Sequence, residues 1–419
     1  MDQNLKAGQR KVLAHLKNRR SVMGLMPTGY GKSRCYQVPA FCWGWKVIVV
    51  SPLISLMEDQ RLALEGRMGA LSIHSNLPRE TVLLAEADIA AGNWSIVYVS
   101  PERLVHWQEK GLLQELKIDL LAVDEAHCVE MWSEFRLAYQ KIEPVIQGLA
   151  RGGTTILALT ATLSLQCARA LIKRWCGRGR TVAMPLGREN LSTYLIPCER
   201  YGEKHLVLAS VLSRIGIEDA AIIYCASRER TEELADIIAA MGFAAVAYHA
   251  GLPADKRASL VESFRGGRIR FICATSAFGM GIDYGRVRAV VHFDFPDSVE
   301  SYWQEAGRAG RDHRPSASVV LWTRSDLLRV RAMDDVRKVR ALELMALFLA
   351  DGCRKRQLEV HFGMRYRSGC GGCNYCREQR SETLQDTLLG VEGFLDRHVW
   401  WLAPEAEPMK WIAKFLRSA

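Results

Sequence analysis

The sequence predicts an α/β protein, with two parallel-sheet domains in tandem followed by a small helical module rich in cysteine and basic residues. Three observations carry that reading. Short runs rich in Val and Ile alternate with helix-length segments, the pattern of strands buried on both faces between crossover helices. A glycine-containing loop, Met26-Pro27-Thr28-Gly29-Tyr30-Gly31-Lys32-Ser33, sits where an early strand should meet a helix. Four of the 12 cysteines, Cys353, Cys370, Cys373 and Cys376, cluster late in the chain, while the others are scattered singly.

Composition bounds the class. With 419 residues, 49% of them hydrophobic and 24% charged, the chain can bury two cores and a small appendage. No apolar run reaches the roughly 18 to 20 residues that span a bilayer, and the start, Met1 to Lys6, has no signal-peptide character. No membrane association is expected, and an intracellular placement is: cytoplasmic in a bacterium, nuclear in a eukaryote. A formal charge of +10 favours a polyanion partner. Scattered thiols beside one tight cluster suit a reducing compartment and a metal site better than a disulfide framework.

Taken in order, the expected strands of the first domain are Val47–Val50, Ile96–Val99, Leu120–Val123 and Thr155–Leu159. A break near Met184-Pro185-Leu186-Gly187-Arg188 reads as a linker. The second domain then offers Ala221–Cys225, Ala244–Tyr248, Arg270–Ala274, Ala289–Phe293 and Val319–Trp322. Domains are expected at 1–186 and 187–323, a cysteine module at 324–385 and a short tail at 386–419. The module is dense in arginine and lysine, and Ala341, Leu344, Met345, Leu347 and Phe348 recur at helical spacing. In the tail, Trp400, Trp401 and Trp411 suggest a small helix packing back on the body.

The glycine loop has the chemistry of a phosphate site. Gly29 and Gly31 let the backbone curl so that amides face an anion at a helix N-terminus. Lys32 can reach the β and γ phosphates, and the Ser33 hydroxyl can ligate magnesium. Met26 stands where the strict pattern has its first glycine, so a plain turn before a structural helix is the competing reading. Leu120-Leu121-Ala122-Val123-Asp124-Glu125-Ala126-His127 supplies the other half of the site. Asp124 at this strand end is placed to hold magnesium, and Glu125 to orient and deprotonate an attacking water.

Together these segments resemble motifs I and II of superfamily 2 helicases in the RecQ form. Leu159-Thr160-Ala161-Thr162 is similar to motif III, and Ser51-Pro52-Leu53-Ile54-Ser55-Leu56-Met57-Glu58-Asp59-Gln60 to motif Ia. Tyr248-His249-Ala250-Gly251-Leu252, Ala274 through Asp283, and Gln304-Glu305-Ala306-Gly307-Arg308-Ala309-Gly310-Arg311-Asp312 continue the match, which runs from about Leu5 to Cys376. The resemblance implies two tandem RecA-like domains with ATP in the cleft between them. The nucleotide set would be Gln9, Thr28, Gly29, Gly31, Lys32, Ser33 and Asp283, with Ser33 and Asp124 on magnesium. It also makes Arg308 and Arg311 arginine fingers from the second domain.

Departures from the family pattern fall in two places. The adenine-contacting segment reads Leu5-Lys6-Ala7-Gly8-Gln9, with Lys6 for the usual stacking arginine, so adenine selectivity is expected to relax; an ordinary surface amide is the alternative for Gln9. The aromatic loop that senses single-stranded DNA in the family keeps Trp132, Phe135 and Arg136. It is one residue shorter than usual, lacks a histidine and has Glu130 and Met131 for Ser and Gln. Its aromatics suit base stacking, or else pack in a core.

The spacing Cys353, then Cys370-Gly371-Gly372-Cys373-Asn374-Tyr375-Cys376, suits four thiolates closing tetrahedrally on a structural zinc. The resemblance places a zinc module of this spacing directly after the helicase core. It implies a motor that moves 3′ to 5′ on single-stranded DNA and opens tailed duplexes. A monomer is expected. Because few residues follow Cys376, so is a compact or truncated member of the family. An RNA helicase and an annealing scaffold with little ATP turnover are the competing functions.

Overall fold

The computed structural model describes residues 5–64, 69–131, 137–185, 187–278, 284–364, 370 and 372–378. The chain divides into two compact units, Met1–Leu186 with Phe362–Met364, and Gly187–His361 with Arg365–Ala419. Each is built on one parallel sheet.

In the first unit the strands are β1 (Val22–Leu25), β2 (Val47–Val50), β3 (Ala70–Ile73), β4 (Ile96–Val99), β5 (Leu120–Val123), β6 (Thr155–Thr160) and β7 (Arg180–Ala183). Their order across the sheet is β3-β4-β2-β5-β6-β1-β7, and every pairing is parallel. Parallel strands need crossover helices on both faces, so alternate residues enter two separate cores. Ile48, Val50, Leu121 and Val123 face one core. Val47, Val49, Leu120 and Ala122 face the other.

The second unit has β8 (Leu191–Pro197), β9 (Ala220–Tyr224), β10 (Ala245–Tyr248), β11 (Phe271–Ala274), β12 (Val287–His292) and β13 (Ser316–Trp322). Their order is β10-β11-β9-β12-β13-β8. Helices Arg324–Arg331, Asp335–Leu349 and Arg354–His361 follow β13 and belong to this unit. Within the middle helix Ala341, Leu344, Met345 and Phe348 are buried, as their spacing predicts, and Leu347 is half-buried.

The nine expected strands all form, with ends displaced by up to three residues. β1 is the early strand expected before the glycine loop, and β3, β7 and β8 are additional. Among the described residues no helix is long and apolar enough to cross a membrane. The tail beyond 378, with Trp400, Trp401 and Trp411, lies outside the described residues.

Candidate active site

β1 stops at Leu25, and the chain turns through Thr28 and Gly29 into the helix Arg34–Trp43. Gly29 and Gly31 have φ of 73° and 81°, conformations that open to glycine alone at little cost. At Gly31 a side chain is also excluded by space, since a Cβ would lie 2.9 Å from Gln9 Nε2. Gln9 itself is 1% exposed. Its amide donates to the carbonyls of Tyr30 and Gly31 at 3.1 and 2.8 Å, and its oxygen accepts from Lys6 N at 2.7 Å. Gln9 is therefore not a surface amide; its amide is spent on the protein's own backbone. Lys6 extends over the Tyr30 ring, 5.0 Å from its centroid. Ser33 occupies the N-cap position of the helix, and no backbone amide of that helix bonds to its hydroxyl.

The loop faces the end of β5, two strands away across the sheet. Lys32 Nζ lies 3.6 Å from Glu125 Oε1, with both side chains largely buried. Asp124 is 8% exposed and accepts from Glu125 N at 3.0 Å. Burial, then the charge of Glu125, pushes the Asp124 carboxyl up to about 7, with Lys32 partly offsetting both. Two buried carboxylates against one lysine leave a site short of positive charge, which a divalent cation would supply. Glu125 is held at φ 48°, a left-handed conformation that is strained for a side chain of its kind.

Motif III is joined to this strand end by a histidine the sequence did not single out. His127 Nδ1 is 3.0 Å from Thr160 Oγ1 and 3.4 Å from Glu125 Oε2. Thr160 Oγ1 in turn accepts from Thr162 N at 3.2 Å, and the Thr160 carbonyl from Met26 N at 2.9 Å. Phosphate loop, acid pair and β6 thus form one hydrogen-bonded frame. An His-Thr pair this far apart in sequence gives no local signal.

In the second unit Ser298 caps the helix Val299–Ala306 by accepting from Ser301 N at 3.0 Å. The helix leads through Gly307 to Arg308, which is 4% exposed, and on to Arg311. The Arg308 guanidinium lies beside the hydroxyl of Tyr224 at the end of β9, where its charge partly offsets the burial that pushes that hydroxyl's pKa up. Asp283, Trp132, Phe135 and Arg136 lie outside the described residues.

The sulfurs of Cys353, Cys370, Cys373 and Cys376 all lie within 4.8 Å of one another, and those of Cys353 and Cys373 are 3.9 Å apart. A tetrahedral zinc with sulfurs at about 2.3 Å requires separations of about 3.8 Å, so the donor set fits zinc. Cys373 bridges to Thr193 on β8, whose N donates to the Gly372 carbonyl at 3.0 Å. The cluster is therefore anchored on the second unit's edge strand.

A glycine loop and acid pair on one parallel sheet, followed by an arginine-bearing segment on another, are the arrangement of a helicase-type fold. The family models DEAD/DEAH box helicase and helicase conserved C-terminal domain match residues 6–170 and 203–313. ATP-dependent DNA helicase RecQ of Bacillus subtilis is 33% identical over 87% of this chain and 63% of its own length. Probable ATP-dependent DNA helicase RecS of the same organism is 32% identical over 81% of this chain and 68% of its own. The crystal structure of the DUF1998 helicase MrfA bound to DNA superposes with a TM-score of 0.63 at 20% identity, covering 76% of this chain and 49% of that one. The chain belongs to the RecQ family of superfamily 2 helicases. It spans about three-fifths of the length of RecQ relatives such as that of Bacillus subtilis.

Proposed function

We propose that this chain hydrolyses ATP to move 3′ to 5′ along single-stranded DNA and to separate duplexes with a 3′ single-stranded tail. The observation that carries the reading is the seating of Lys32 against Glu125 at 3.6 Å beside the buried Asp124, in a chain of the RecQ family. Amides of the curled loop and Lys32 would bind the β and γ phosphates. Asp124 and Ser33 would hold magnesium, which supplies Lewis-acid charge on the phosphate oxygens when bound. Glu125, fixed by His127, would orient the attacking water and take its proton.

Arg308 and Arg311 would stabilise the transferring phosphoryl group; the support for this is their position in the segment Gln304–Asp312. Trp132, Phe135 and Arg136 would contact unstacked bases, on the strength of their residue types. The cysteines would hold one structural zinc that contributes folding energy to the module.

The test is strand separation with ATP on 3′-tailed, 5′-tailed and blunt duplexes of equal length, with an RNA-tailed series alongside. The expected result is opening of the 3′-tailed DNA only. Equal opening of the 5′-tailed DNA would contradict the polarity, and a preference for the RNA series would move the substrate to RNA.

A further inference from the structure

A buried histidine in the second unit has no place in the chemistry above. His292, the last residue of β12, is 1% exposed, and its Nε2 is 3.0 Å from Glu305 Oε2. Its Nδ1 has no hydrogen-bond partner. Nε2 therefore carries the proton and donates to Glu305, a tautomer assigned from the bonding pattern. The ring stacks on Tyr224, with centroids 5.5 Å apart and planes 20° from parallel. The Tyr302 ring also lies against it, centroids 5.2 Å apart and tilted by 46°.

Both neighbours of the histidine lead to Arg308. Tyr224 donates its hydroxyl proton to the Phe278 carbonyl at 2.7 Å, and the Arg308 charge lies close enough to act on that hydroxyl. Glu305 carries the backbone carbonyl that receives Arg308 N at 3.1 Å. His292 thus holds both the ring whose hydroxyl Arg308 acts on and the residue that starts the Arg308 turn. Tyr302 in turn rests edge-on against Phe348 of the helix Asp335–Leu349.

We infer that His292 is a positioning residue: through Glu305 and Tyr224 it sets the direction of the Arg308 guanidinium toward the transferring phosphoryl group. This rests on the proposed ATP hydrolysis and on the role given there to Arg308. A transition-state donor misdirected by even a fraction of an ångström loses turnover while nucleotide affinity, which resides in the first unit, is untouched. The residue therefore belongs to kcat and not to KM.

Steady-state ATP hydrolysis by the full chain, with saturating single-stranded DNA, tests this. His292→Leu keeps the volume and removes the donor, and should lower kcat about tenfold with KM for ATP unchanged. His292→Gln places an N–H near the old Nε2 and should recover most of the loss. Tyr224→Phe, which keeps the ring and removes only the hydroxyl, gives a second reading should His292→Leu not fold. It should lower kcat likewise. In an Arg308→Ala background, neither His292→Leu nor Tyr224→Phe should cost anything further, as expected of residues acting through one group. Wild-type kcat in both single variants, or an equal further loss in the Arg308→Ala background, would overturn the inference. Absence of hydrolysis by the wild-type chain would instead remove the function beneath it.

Discussion

At the scale of single residues, the acid pair is electrostatically unfinished. Asp124 sits in low dielectric beside Glu125, and only Lys32 opposes their repulsion. With its carboxyl pushed from the ordinary 3.8 to about 7, the folded chain retains a proton that the unfolded chain has already released. The associated stability is complete below 3.8 and is lost as pH rises through about 7. Glu125→Gln removes the second-largest cause of the shift, so it should flatten this loss. Melting of ligand-free wild type and Glu125→Gln protein from pH 5 to pH 8 measures it. The wild type should lose more, by up to about 1 kcal/mol, and magnesium should cancel the difference because it binds the deprotonated carboxylate. Parallel pH profiles for the two proteins would contradict the assignment.

At the scale of elements, the turn after the helix Val299–Ala306 depends on one glycine. Gly310 has φ 62° and donates to the Val287 carbonyl at 2.8 Å. A Cβ there would fall 2.3 Å from Ser316 Oγ and 2.5 Å from Asn190 Nδ2. Gly310→Ala should destabilise the second unit by about 2 kcal/mol, the sum of a left-handed alanine and a local clash. Urea unfolding reads this directly, and an unchanged midpoint would refute it. The same scale shows what could be read in advance. Central strands such as Val47–Val50 and Leu120–Val123 are uninterrupted apolar runs because both faces are covered, and they were legible. β1 is as deeply buried, but Gly24 interrupts its run, while β7 is an edge strand that begins at the exposed Arg180. β8 mixes Ser, Thr and Tyr with Leu and Ile because it supports the cysteine cluster on one side. In the site, Lys32, Asp124 and Glu125 announced themselves through motifs. His127–Thr160 and His292–Glu305 join segments 33 and 13 residues apart, and only folding shows the pairs.

At the scale of the whole molecule, each unit carries chemistry the other lacks. The first holds the phosphate loop and the acid pair, and the second holds the arginines and the cysteine cluster. On the proposed function the arginines of one unit would act on the nucleotide held by the other, which would make turnover depend on both. Hydrolysis by such a protein would be governed by nucleic acid. That dependence is tested most directly by the steady-state rate of ATP hydrolysis by the full chain, with and without single-stranded DNA, for the wild type and for Lys32→Ala. The account predicts that DNA raises the wild-type rate at least about tenfold, and that Lys32→Ala lowers the stimulated rate at least about 100-fold while the protein stays folded. A folded Lys32→Ala variant that hydrolyses ATP at the wild-type rate, or a wild-type rate indifferent to DNA, would contradict it.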